Sequence, residues 1–171
     1  MLCKYFKGVT KLNQPPMNAQ QALSASDYAT ALREYRLLAE QGHAFAKLAL
    51  GIMYDQGQGV SKDATEAAKW YRLAAEQGDA DAQSRLGMMY RKGQGVSQDA
   101  TEAAKWCRLA AEQGNADAQY HLGMMYRKGQ GVPQDKSEAV KWYQLAAEQV
   151  NPTTQPSAQA PVRYVSLAAR T

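Results

Sequence analysis

The chain has 171 residues, enough for one domain, and 45% of them are apolar, with Ala plentiful and only two Phe. That mixture favours helix over sheet. Its net charge of +4 belongs to the ends: residues 1–26 carry three Lys and residues 151–171 two Arg, without an acid in either, while residues 27–150 set fifteen basic against sixteen acidic residues, which argues against a nucleic-acid footprint over the whole domain.

Residues 1–16, MLCKYFKGVTKLNQPP, contain no apolar run of the kind a secretory leader needs. They read as a disordered basic segment, and this visible start favours a cytoplasmic protein. MNAQQALSASDYATAL then suggests a shortened helix over about 17–25 and a second helix from Tyr28. ALREYRLLAEQG at 31–42 matches AAKWYRLAAEQG at 67–78, 36 residues further on, so 17–42 is an irregular half repeat. Three full units follow without a gap, 43–78, 79–114 and 115–150, and the last two share 26 of 36 positions. A period this strict predicts a solenoid.

Each unit predicts two antiparallel helices. In AQSRLGMMYRK (82–92), Ala82, Leu86, Met89 and Tyr90 recur at helical spacing and form a buried stripe. Asp79 and Asn115 suit the cap position in front of such helices. Gly51, Gly87 and Gly123 lie inside the first helices, where glycine costs about 1 kcal/mol, so a neighbouring helix is expected to come close there. Tyr54, Tyr90 and Tyr126 recur one turn later.

Between the two helices stand Gly57-Gln58-Gly59, Gly93-Gln94-Gly95 and Gly129-Gln130-Gly131. The last two, preceded by Arg-Lys, imitate the start of a phosphate loop. A dinucleotide loop, however, follows a strand and runs to a third glycine, and a Walker loop ends in Gly-Lys-Ser/Thr; neither occurs. The expected role is structural: the first glycine ends a helix, the second (Gly59, Gly95, Gly131) allows a sharp reversal, and Val60, Val96 or Val132 drops into the groove between helices.

Asp63, Asp99 and Asp135, each with Glu three places on, read as capping boxes for the second helices. Trp70, Trp106 and Trp142 anchor those helices beside Ala67, Ala103 and Ala139; core packing explains them better than a stacking ladder. Gly42, Gly78 and Gly114 end the helices, and Val150 stands where the fourth glycine would. Residues 151–171 read as a flexible tail, with NPTTQPSAQAP as a linker and VRYVSLAART holding a short docking helix over 162–170.

The residues Ala80, Ala82, Gln83, Leu86, Gly87, Tyr90, Gly93, Gly95, Val96, Asp99, Glu102, Ala103, Lys105, Trp106, then Ala110, Ala111, Glu112, Gln113 and Gly114 form a pattern that resembles the Sel-one-like repeat (SLR) family, a branch of the tetratricopeptide superfamily. The resemblance covers about 27–150. It implies an all-α, right-handed α/α solenoid whose first helices line a concave face. It also implies a non-catalytic scaffold or adaptor for a protein or peptide, a bacterial setting, and export as a second localisation.

A second stripe on the first helices is the candidate partner surface. It comprises Phe45, Leu48, Ile52 and Asp55; Asp81, Ser84, Met88 and Arg91; and Asp117, Tyr120, Met124 and Arg127, spaced three, four and three. Its apolar members make a floor, and Arg91, Lys92, Arg127 and Lys128 make a basic rim fit for an acidic peptide. The uncovered repeat ends are a place for self-association. Two other classes fit less well. Cysteine-rich exported relatives are linked to β-lactam binding or hydrolysis, but Cys3 and Cys107 form no pair per repeat, His43 and His121 have no i, i+4 ligand, and no Gly-x-Ser-x-Gly or Ser-x-x-Lys string occurs. RNA-reading repeats need a basic wall, and this body is near neutral. No cofactor or metal site is expected. Cys107, in a slot filled by Tyr71 and Tyr143 elsewhere, reads as a small hydrophobe.

Overall fold

In the computed structural model, the described residues are 27–150, with Ala19 and Ala22 before them. They form seven helices: α1 Tyr28–Glu40, α2 Ala44–Gln56, α3 Ala64–Ala75, α4 Ala80–Lys92, α5 Ala100–Glu112, α6 Ala116–Lys128 and α7 Lys136–Val150. Each packs chiefly on the helix before and after it in the chain. This is the one-dimensional contact pattern of a solenoid built from 36-residue units. Ala19 and Ala22 are helical and buried, in keeping with a helix near 17–25; the rest of that helix, the segment 1–16 and the tail 151–171 lie outside the described residues.

The caps form, with one difference in wiring. Asp79 accepts a hydrogen bond from the Ala82 N–H at 2.8 Å, and Asn115 accepts from Ala118 at 2.9 Å. Asp99 accepts from the N–H groups of Thr101 and Glu102 at 2.8 and 3.0 Å, a contribution of about 1 kcal/mol. The Glu of the expected capping box does not reach back. Glu66, Glu102 and Glu138 pair with Lys69, Lys105 and Lys141 one turn on. The reason is that the N–H of each cap already has a partner: Asp63, Asp99 and Asp135 donate to the carbonyls of Tyr54, Tyr90 and Tyr126 at 2.9–3.0 Å. That bond pins the start of each second helix to the end of the first.

The Gly-Gln-Gly loops turn corners, as the sequence suggests. Gly57, Gly93 and Gly129 end the first helices in the left-handed conformation. Gly59, Gly95 and Gly131 also have positive φ, near +70°. They do more than reverse the chain: Gly95 lies against the Ala64 carbonyl at the start of α3, and Gly131 against the Ala100 carbonyl at the start of α5. The second glycine is thus a contact between units. Gly51, Gly87 and Gly123 face Tyr71, Cys107 and Tyr143 of the second helix in their own unit, which identifies the close neighbour.

Tyr35, Tyr71, Leu50, Ile52, Met53, Leu86, Leu122 and Met125 are the large buried side chains among the described residues. The tryptophans are only half-buried and pack along the edge of the core; the residue after each Trp, in Tyr71 and Cys107, is the one that goes fully inside. Buried apolar residues fall into two clusters. One runs from Ala19 to Met89 and the other from Ala103 to Met125, and half-buried Tyr90 packs against both. Cys107 stands at this boundary, where a Tyr would have reached further.

Candidate functional site

The first helices α2, α4 and α6 share a cleft. Its lining comes from Asp55 of α2, from Asp81, Ser84, Arg85, Met88, Met89 and Lys92 of α4, and from Asp117 and His121 of α6, with Tyr71, Gln94 and Asn115 completing it; its volume is about 260 Å³. Helical spacing puts these side chains on one side of each helix. Six of the sequence-predicted residues meet here: Asp55, Asp81, Ser84, Met88, Lys92 and Asp117.

The remaining predicted residues divide by position along the array. Phe45, Leu48 and Ile52 are buried in the N-terminal cluster, so the expected apolar floor is core at that end; the stripe there lies under its neighbours rather than facing outward. Tyr120 and Arg127 line a second, more apolar groove at the C-terminal end, with Ala116, Asp117, Tyr143, Ala146 and Ala147, of about 630 Å³. Met124 is half-buried, and Lys128 is exposed. Arg91 is half-buried beside Cys107 and His121, and its Nε has no hydrogen-bond partner among the described residues.

The cleft is polar rather than greasy, because three aspartates enter it. Burial raises the Asp81 carboxyl above its ordinary range, and the Asp117 charge adds to that, against the pull of Arg85 and of an Asn115 hydrogen bond. The Asn115 amide donates to Asp81 at 2.7 Å and couples neighbouring units. Arg85 lies over the Tyr71 ring at 5.8 Å. Burial, reinforced by Arg91, holds His121 below its usual pKa despite Asp117. The site therefore presents fixed aspartates, cations and a neutral imidazole at pH 7. Asp79, just outside, is raised mainly by burial. Its contribution to stability is full below the unfolded value of 3.8 and fades as pH climbs through the folded value. Asp79→Asn, which copies the Asn115 cap, should keep the helix start and flatten that dependence. In urea melts it should lose nothing at pH 7, and gain at most about 1 kcal/mol; a clear loss there would mean the cap depends on charge.

Burial pushes the Cys107 thiol up to about 11, so it is not a thiolate at neutral pH. Among the described residues no three His, Cys, Asp or Glu side chains gather as a metal site, and no helix is long and apolar enough to cross a membrane.

One recurring contact escaped the sequence reading. Arg36, Arg72 and Arg108 on the second helices each donate to a tyrosine hydroxyl of the next first helix, Tyr54, Tyr90 and Tyr126, at 2.7 Å in the first and last pairs. The signal was present: three arginines at a 36-residue spacing, each 18 residues before a tyrosine.

The Sel1 repeat model matches residues 44–79, 80–115 and 116–151. The chain belongs to the Sel1 repeat family. Sel1 repeats typically serve as protein-interaction scaffolds. Among solved structures, a Sel1 repeat protein from Oxalobacter formigenes is 40% identical with a TM-score of 0.72, over 76% of this chain and 54% of that one. A protective antigen of uropathogenic Escherichia coli with an SLR fold is 44% identical with a TM-score of 0.71, over 72% of this chain and 27% of that one. Helicobacter pylori cysteine rich protein B, 23% identical with a TM-score of 0.58 over 73% of this chain and 90% of that one, shares the fold. The chain thus spans about half or less of the two more similar Sel1 relatives. No curated protein matches it.

Proposed function

We propose that this Sel1 repeat protein is a non-catalytic adaptor that holds a polypeptide segment of a partner in the cleft of α2, α4 and α6, the concave side of the array. The observation that carries the reading is that Lys92, in the lining of that cleft, belongs to a row of cations without ion pairs among the described residues. Arg91, Lys92, Arg127 and Lys128 close the last turns of α4 and α6, and none of them takes part in an ion pair among the described residues. Elsewhere Lys69, Lys105 and Lys141 are each paired with a glutamate. Free cations beside aspartates favour a segment of mixed charge whose acidic side chains meet the rim while its donors meet Asp55, Asp81 and Asp117.

Peptides selected from a displayed library against the full chain test this. They should carry Asp or Glu, and Lys92→Glu with Arg127→Glu should weaken their binding about tenfold or more without moving the melting temperature. Both side chains are exposed, unlike Arg91, whose reversal would disturb the packing near Cys107. Undiminished binding by the double variant would remove the rim from the site.

A further inference from the structure

The cleft of α2, α4 and α6 exists because one row of side chains is uneven. Leu48, Ser84 and Tyr120 occupy equivalent places in the three units. Leu48 is packed into the N-terminal core, whereas Tyr120 stands 50% exposed in the C-terminal groove. Serine is too short to do either, and the space beside it belongs to the cleft of about 260 Å³. The next row is also uneven, with Ala49, Arg85 and His121. The middle unit therefore holds a recess where the first unit has a leucine.

Two polar groups in this recess are short of partners. Ser84 is only 6% exposed and lines the cleft, yet its hydroxyl makes no hydrogen bond among the described residues. The Nδ1 of His121, contributed by α6, is buried and also has none. Buried polar atoms left in this way are costly, and they point to something that supplies the partner.

The charges say what kind of partner. Asp55, Asp81 and Asp117 enter the cleft against Arg85 and Lys92. Arg85 is already engaged, over the Tyr71 ring and in the field of Asp79 and Asp81. Lys92 is exposed at the rim. Asp55 and Asp117 take part in no ion pair among the described residues. Asp81 receives the Asn115 amide at 2.7 Å and feels the repulsion of Asp117, and a carboxylate has room for further donors. The recess is thus short of donors and of positive charge. Met88 and Met89 give it apolar walls. Its volume lies below the range of about 300–1,000 Å³ of pockets for drug-sized ligands, which suits one long side chain rather than a helix.

We propose that this recess is a socket for the cationic head of one Lys or Arg side chain of the bound segment, held by Asp81 and Asp117 with Ser84 as an added acceptor and the stem lying along Met88. That the occupant belongs to a partner rests on the adaptor reading; the preference for a cation does not. A basic side chain answers each feature together. It relieves the repulsion between the two aspartates, gives donors to Ser84 and to the Nδ1 of His121 (an acceptor in the Nε2–H tautomer) and covers Met88 with its methylenes. An anion would meet three carboxylates instead.

NMR titration of the isotope-labelled full chain with methylguanidinium or methylammonium chloride tests the socket without any partner, against sodium chloride at equal ionic strength. At least one cation should shift the amide signals of residues 81–88 and 117–121 saturably, with a Kd on the order of millimolar, and the tighter of the two names the side chain. Ser84→Leu, which copies Leu48, should abolish the effect. Asp117→Asn should weaken it about threefold and Lys92→Glu should tighten it about threefold; both positions are exposed, so they keep the test decisive should Ser84→Leu unfold. Lys92→Glu also separates this inference from the adaptor reading, whose acidic peptides the same change should weaken. Unsaturable shifts, or a Kd that neither surface variant moves, would overturn the socket and leave the rim to be judged by its peptides. Saturation by sodium acetate in place of the cations would overturn it in favour of an anion seat.

Discussion

Gly95→Ala should lower stability by about 2–5 kcal/mol, measured as the shift in a urea unfolding midpoint. Two effects add. A side chain at φ +68° costs about 1–2 kcal/mol. The new methyl would also overlap the Ala64 carbonyl and crowd the Thr65 N–H, backbone atoms that cannot rotate away, and overpacking of this kind costs about 1–3 kcal/mol. Gly78 separates the two effects. It has φ +91° but nothing within 4 Å of the position of an added carbon, so Gly78→Ala should show the conformational part alone. Equal losses at the two sites would mean that the loop turns a corner without holding the units together.

Tyr71→Ala should cost about 3–5 kcal/mol. Tyr71 is buried to 1% exposure, fills the notch opposite Gly51, and supports Arg85 on its ring. No smaller neighbour is placed to collapse into the gap, since helix α2 already presents glycine there. Trp106→Ala, in contrast, should cost less, about 1–3 kcal/mol. The larger side chain lies half out of the core with Lys105 beside its ring at 5.7 Å. Calorimetric melts of the two variants decide the order; a greater loss at Trp106 would place the weight of the junction on the tryptophan row.

The architecture was legible in the sequence because a solenoid writes its contacts as a period. Asp79, Asn115 and Gly93 announce helix ends by local chemistry, and Gly51, Gly87 and Gly123 announce close packing by being costly where they stand. The site was less legible. Met88 and Ser84 are spaced like Leu48 and Ile52 on the same helical face, but spacing does not tell which members the neighbouring units cover. Phe45, Leu48 and Ile52 went inside for that reason, while Met88 remained half-open to the cleft. Arg85 was not singled out, and His121 was weighed only as a ligand or catalyst and not as part of the groove, because their equivalent in the first unit is Ala49 and no period drew attention to them. The wiring of Glu66, Glu102 and Glu138 depended on a carbonyl nine residues before the capping Asp, which a local motif does not see.

The small residue at position 107 has a mechanical consequence. With a thiol where its siblings have a phenol ring, the middle unit closes the notch opposite Gly87 with a smaller side chain. Because adjoining units lend each other cooperativity, Cys107→Tyr is the substitution that tests how strongly the two outer units melt together.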